Sequence, residues 1–170
     1  MDELIDIVDA KTGEPTGETI YKSQAHKEGI WHRAIHILIV NKDRTKTLLQ
    51  RRCDTKPLYP NMWDIAVGGH IGAGEDPLEA AKRELGEELG LDITEYEVEF
   101  VGKSQEDFNN NGVHSREWVS NYVLYGDINL ENIKLQNSEV SAAGWFTKEE
   151  LNEKIAEGTN SSCNRVWNTK

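Results

Sequence analysis

Residues Gly69–Leu91 read GHIGAGEDPLEAAKRELGEELGL, a glycine-rich loop running directly into an acidic amphipathic helix. Asp76 reads as the N-cap, Pro77 as the first helical residue, and Glu79 as the partner that closes a capping box. Leu78, Ala81, Leu85 and Leu89 recur at spacings of three and four and form an apolar stripe for a core. Gly90 stands where a left-handed C-terminal cap belongs. Glu84, Glu87 and Glu88 flank the stripe within little more than one turn. Residues three and four apart share a helix face, so these like charges crowd a face that can point into a cleft. A cation relieves such crowding, and an oxygen-only donor set suits a hard one, Mg²⁺ or Mn²⁺. Arg83, beside Glu84, is placed to hold or orient one of the carboxylates.

Outward from this helix the pattern changes to strands. Leu4–Val8 alternates apolar and acidic residues, and the turn-rich AKTGEPTGE separates it from Thr19–Lys22, which predicts an N-terminal hairpin. Trp31–Val40 is a strongly apolar strand, and NKDRTK turns it into a second one over Thr47–Arg52. KPLYPN, with two prolines in four residues, is a loop. Met62–Val67 is a short strand feeding the glycine loop. Val98–Lys103 and Trp118–Tyr125 read as strands separated by the polar segment SQEDFNNNGVHS, and Ala143–Phe146 as a further short one. Thr147 opens a second helix through a capping box with Glu150, and Gly158 ends it. Mixed strands, a helix, more strands and a helix make an α+β chain folded as an α/β/α sandwich around a mixed β-sheet. The organisation predicted is one domain over residues 1–158 followed by a polar tail over residues 159–170, from which Trp167 could dock on the core.

Composition narrows the partners. The chain has 170 residues, a net charge of −11 and a pI near 4.9, which argues against binding nucleic acid or an anionic membrane surface. The N-terminus carries no basic region before an apolar run, so no secretory signal is read there. No apolar run approaches the length of a membrane span; Ile35–Val40, the longest, is broken by His36. Cys53 and Cys163 lack metal-site or redox spacing and read as free thiols of a cytoplasmic protein.

The stretch around the acidic helix resembles the Nudix hydrolase signature. Gly69, Glu75, Arg83, Glu84, Leu85, Glu87, Glu88, Gly90 and Leu91 meet each of its fixed or restricted positions, and the resemblance covers roughly residues 1–158. It implies the α/β/α sandwich and a hydrolase that cleaves a diphosphate linkage with divalent ions. By the same resemblance Glu84, Glu87, Glu88 and the backbone carbonyl of Gly68 bind metal, Arg83 orients Glu84, and Glu75 anchors the loop. The base is Glu84 or another glutamate; in a later loop Glu139 is the best positional match and Glu117 the second.

A second resemblance is to isopentenyl-diphosphate isomerases and their hydrolase relatives, carried by HKEGIWHRAIHILIVN, LLQRR, the lysine before Pro60, and MWDIAVGGHIGAGE. In the isomerases three histidines and two glutamates bind a divalent ion, while a cysteine and a glutamate transfer protons. His32 and His70 match two of those histidines, and His26 matches the third approximately. Gly68 stands at the cysteine position, and if Glu117 matches the first glutamate the second falls on Val119. A glycine has no side chain to move a proton, so isomerase chemistry loses its partner.

His26, His32 and His70 could retain a metal site, since neutral imidazoles suit Zn²⁺ or Mn²⁺. Local hydrogen bonds are the preferred reading for His26 and His32, while His70 faces the site, His36 lies in a strand and His114 in a polar loop. Arg51, Arg52 and Lys56 are the dense cationic group that would contact substrate phosphates, together with His70. Trp31, Tyr59 and Trp63 stack on a base, cover an isoprenoid, or serve only the core. The resulting expectation is a hydrolase of a nucleoside diphosphate linked to another moiety, or of a similar small-molecule diphosphate. The alternatives are an isomerase and a non-catalytic ligand-binding module, which the intact signature opposes. A homodimer is compatible with the sequence.

Overall fold

The computed structural model describes residues 1–159; the predicted tail beyond Thr159, with Cys163 and Trp167, lies outside the described residues. In chain order the elements are β1 (Leu4–Val8), β2 (Pro15–Tyr21), α1 (Lys22–Glu28), β3 (Trp31–Val40), β4 (Lys46–Arg52), β5 (Trp63–Ile65), β6 (Val67–His70), α2 (Pro77–Leu89), β7 (Glu97–Asn110), β8 (Val113–Tyr125), β9 (Val140–Thr147) and α3 (Lys148–Ala156). β1 and β2 form a separate hairpin, and the other strands form one mixed sheet of seven. Among the described residues only β3 and β8 run parallel in it, paired from Trp31–Arg116 to Val40–Tyr125.

The sheet splits at its centre, and the split positions the site. β3 and β4 stay paired only at Ile39–Leu48 and Val40–Thr47. Beyond that point β3 takes β6 as its neighbour over Ala34–Ile37, while β4 takes β5 over Leu49–Arg51. Leu48 belongs to the cluster under α2 with Ile35, Ile37, Val67, Leu85 and Leu89, and Leu49 belongs to a second cluster with Ile65 and Leu151 of α3. Neighbouring residues of a strand face opposite sides, so α2 and α3 cover opposite faces of the sheet. Burying a side chain such as Leu85 or Leu89 contributes about 1.5–3 kcal/mol each.

α2 begins and ends where its residues dictate. Asp76 accepts hydrogen bonds from the N–H groups of Leu78 (2.9 Å) and Glu79 (3.4 Å), Pro77 opens the first turn, and Gly90 adopts φ 68° as the C-terminal cap. Two details differ from the sequence reading. Glu79 leans toward Lys82 (3.9 Å) rather than back to the cap, and Leu78 is exposed, the buried face starting instead with Ala80 and Ala81. At α3 the capping box forms in both directions between Thr147 and Glu150.

Three other elements depart from expectation. The second predicted strand starts earlier, as Pro15–Tyr21, and its last predicted residue, Lys22, instead opens α1, a helix the sequence reading did not expect. The glycine loop begins later, because Gly68, Gly69 and His70 are strand residues paired to β3. The polar SQEDFNNNGVHS is no separator but the tip of the long β7–β8 hairpin, with Asn111 (φ 52°) and Gly112 (φ 79°) in the two-residue turn. An Asn-Gly pair accepts two positive φ angles in succession, which a tight hairpin of the right twist needs. Among the described residues no helix is long and apolar enough to cross a membrane.

Candidate active site

A cleft of about 550 Å³ opens where the sheet splits. α2 contributes Arg83, Glu84, Glu87 and Glu88 to it, and β6 contributes Gly68, Gly69 and His70. Arg52 and Lys56 enter from the end of β4 and the loop after it, Glu117 from β8, and Glu139 from the segment before β9. The cations, the carboxylates and the glycine strand that the sequence scatters therefore share one cavity. Arg51 is the exception. Adjacent to Arg52 on a strand, it points the other way, is exposed, and donates from Nε to the Asn61 carbonyl at 3.0 Å.

Arg83 organises the acidic side. Its guanidinium donates to both Glu75 oxygens (2.9 and 3.0 Å), to Glu84 Oε1 (2.7 Å) and to the His70 carbonyl (3.0 Å). Glu75 also accepts from the Gly72 N–H at 2.8 Å, so it anchors the loop to the helix. A planar fork of donors is suited to this many partners, and the hydrogen bonds to Glu75 hold the Glu75 carboxyl below its usual range. Gly69 is dictated by contact: a β-carbon there would collide with the Glu84 carboxyl. Burial raises the Glu84 carboxyl, with Arg83 working against it. Glu88 is buried further, and burial followed by the nearby Glu84 charge pushes it up to about 8. Two crowded carboxylates that resist ionisation in the bare protein are suited to a bound cation, which would restore their charge.

Beside them lies a cluster in which the sequence reading preferred local roles for His26 and His32 and a place at the site for His70. His26, His32 and His70 sit with ring centroids 5.1–5.2 Å apart, and with Glu117 they offer four ligand atoms within 4.8 Å of one another. The register explains it: His32 pairs with Glu117 across β3 and β8, and Ala34, one step along the same face, pairs with His70. α1 then adds His26, whose Nε2 lies 3.2 Å from that of His70. His32 Nδ1 bonds the Ile30 carbonyl at 2.8 Å, so the local hydrogen bond predicted for His32 is present. In the neutral imidazole, that bond leaves Nε2 as the lone-pair nitrogen. It is buried, has no hydrogen-bond partner among the described residues, and lies 3.7 Å from Glu117 Oε1. A lone pair facing a carboxylate oxygen fits a cation between them, and a histidine anchored through its other nitrogen is the arrangement metal ligands adopt.

Burial, then the charges of His70 and His32, pulls His26 down to about 4, which keeps it a neutral donor. Burial pushes the Glu117 carboxyl up, but the imidazoles of His32 and His70 hold it well below its usual range; Ser115 also donates to it at 2.6 Å. His36, Glu106 and Glu117 form a second group of ligand-type atoms next door. His114 instead pairs with Asp107 at 2.9 Å on the hairpin.

Glu139 forms an ion pair with Lys56, and burial followed by the Arg52 charge lowers the Lys56 ammonium. Arg52 itself is paired with Asp64 at 3.3 Å. Among the lining residues that escaped the sequence reading are Gln50, Asp64, Glu106 and Ser115. Gln50 left a faint signal, a polar residue in register with inward-facing apolar positions of β4; the others required the fold.

Residues 30–163 match the family model described as the NUDIX domain. The chain is 36% identical over 153 residues to Nudix hydrolase 3 of Arabidopsis thaliana, covering 88% of this chain but 20% of that protein. It is 33% identical over 140 residues to an uncharacterized Nudix hydrolase of Listeria monocytogenes, covering 81% and 76% of the two chains. The crystal structure of DR0079 from Deinococcus radiodurans superposes with a TM-score of 0.73 at 24% identity, covering 96% of this chain and 95% of that one. The chain thus spans a fifth of the Arabidopsis relative and about three quarters of the Listeria one.

Proposed function

The chain belongs to the NUDIX domain family, and from that premise we propose that it is a metal-dependent hydrolase of a diphosphate linkage in a nucleoside diphosphate joined to another moiety, or in a similar compound. The observation that carries the reading is the meeting of Glu84, Glu87, Glu88 and the Gly68 backbone with Arg52 and Lys56 in one cleft. Anionic ligands and cationic residues in one cavity fit a phosphorylated substrate accompanied by Mg²⁺ or Mn²⁺. When bound, the ions neutralise phosphate oxygens and acidify water. Arg52 and Lys56 hold the diphosphate, Arg83 fixes the rotamer of Glu84, and a glutamate of the cleft accepts the proton of the attacking water. Glu139 serves that last role once substrate phosphate draws Lys56 away from it.

Within the family, the convergence of His26, His32, His70 and Glu117 supports a place in the isomerase-like subgroup, with the imidazoles as a nitrogen-rich site for a second ion. Isomerisation itself is disfavoured, since Gly68 lines the cleft without a side chain to carry a proton. The test is Mg²⁺-dependent cleavage of the diphosphate linkage in a panel of nucleotide sugars, dinucleotides, nucleotides and isoprenoid diphosphates, read as the monophosphate products and any free phosphate. Hydrolysis of at least one member, cut about 10³-fold by Glu87→Gln, is expected. Conversion of isopentenyl to dimethylallyl diphosphate at enzymatic rates, or full turnover by the variant, would overturn the proposal.

A further inference from the structure

Glu88 is held by a residue outside the signature helix. Gln50 of β4 donates from Nε2 to Glu88 Oε2 at 3.0 Å, and both side chains are 6% exposed. The backbone at Gln50 has little freedom, being paired with Asp64 of β5 on one edge and Ala143 of β9 on the other. A buried amide with one good acceptor keeps that bond, because leaving the donor unsatisfied is costly. The chemistry of the donor matters as much as its position. A lysine or arginine here would neutralise Glu88 and compete with any ion in the cleft. An amide N–H fixes the carboxylate and leaves its charge available. Gln50 and Glu88 both line the cleft, so the pair faces the space where an ion would sit.

We propose that Gln50 is a positioning residue whose amide fixes one oxygen of Glu88 and so presents the other to a divalent ion. This rests on the metal-dependent reading of the cleft. Hydrogen-bond partners that orient a ligand are commonly worth about 10–100-fold in metal affinity or activity. The experiment is Mn²⁺ titration calorimetry on the full chain, with the Tm of each metal-free protein, for the parent, Gln50→Leu, Gln50→Met and Glu88→Gln. Gln50→Leu or Gln50→Met should weaken Mn²⁺ binding about tenfold or more. The same factor should appear in the Mn²⁺ concentration for half-maximal turnover, with KM for the diphosphate unchanged. A destabilised variant with parental Mn²⁺ affinity would show a purely structural contact and overturn the proposal. If Glu88→Gln itself binds Mn²⁺ as the parent does, the metal reading falls and Gln50 with it. If Glu88→Gln loses Mn²⁺ while both Gln50 variants keep it, the Gln50 proposal falls alone.

Discussion

The acidic face of α2 and the histidine cluster gather the same kind of side chain, yet the chain builds them in opposite ways. Glu84, Glu87 and Glu88 come from one helix, and their spacing alone places them together. His26, His32, His70 and Glu117 come from α1, β3, β6 and β8 and meet only through strand register. Their chemistry differs as well, since the helix offers oxygen to a hard ion and the cluster offers mostly imidazole nitrogen. Arg83 ties the two, holding Glu84 with one arm and the His70 carbonyl with another. A site of local origin is thus buttressed by one of long-range origin, and substitutions can show how independent the two are.

The largest effect should come from the helix. Glu87→Gln removes a proposed ligand while keeping volume, and turnover should fall about 10³-fold, about 4 kcal/mol on the barrier. The Glu87 side chain is 50% exposed, so stability should change by less than about 0.5 kcal/mol. Steady-state kinetics with a parallel melt would check both. A comparable loss from a histidine substitution would break the comparison, because the cluster would then be the catalytic centre.

Gly69→Ala probes the seam between the regions. The new methyl would meet the Glu84 carboxyl and displace it from its place against β6. Turnover should drop about 10–100-fold, the range for disturbing a ligand's support rather than deleting it. An unchanged rate would mean that the position of Glu84 in the cleft does not matter.

How much of this was legible follows the same division. The caps, stripe and charges of α2 are all local, so Asp76, Pro77, Gly90 and the three glutamates announced the helix and its face. α1 announced nothing. It has seven residues, no side-chain cap and one buried residue, Ala25, so no periodic stripe marks it, and with it went the position of His26. The hairpin tip was readable in principle from Asn111-Gly112, but the polar residues around that turn suggested a loop. Gln50 and Glu117 are polar residues within strands, and only the fold shows which carboxylate or imidazole each one faces.

The pH dependence of stability should carry opposite signs in the two regions. The Glu88 carboxyl, raised to about 8 by burial and then by Glu84, keeps its proton in the folded metal-free chain after an unfolded glutamate has lost it. Its contribution is therefore present below about pH 4.5 and is lost as pH rises through about 8. His26, lowered to about 4 by burial and then by His70 and His32, with Lys22 adding to them and Glu117 opposing, stays neutral while an unfolded histidine takes up a proton. Its contribution is present above about pH 6.5 and is lost as pH falls toward 4. Melting curves across pH 4–8 should show Glu88→Gln flattening the alkaline side and His26→Gln the acid side. Since the proton competes with the ion at Glu88, Mg²⁺ affinity should also rise with pH, at most about tenfold per unit, until near 8. A Glu88→Gln protein whose alkaline limb matches the parent's would remove the acidic half of the contrast.

The smallest effect on turnover belongs to His32→Gln. His32 is fully buried and held by the Ile30 carbonyl, and it does not line the cleft. Its loss should cost less than about tenfold in rate, because it supports the cleft through His70 and Glu117 rather than touching substrate. The sensitive readout is metal identity. Cobalt(II) bound among imidazoles gives visible absorption that differs from cobalt among carboxylates, and the nitrogen-type band should vanish in His32→Gln while Mn²⁺ affinity holds. Persistence of that band would place the ion elsewhere. Loss of Mn²⁺ binding together with the band would mean that both regions hold one shared ion, and the division between a hard and a borderline site would collapse into a single centre bridged through His70 and Arg83.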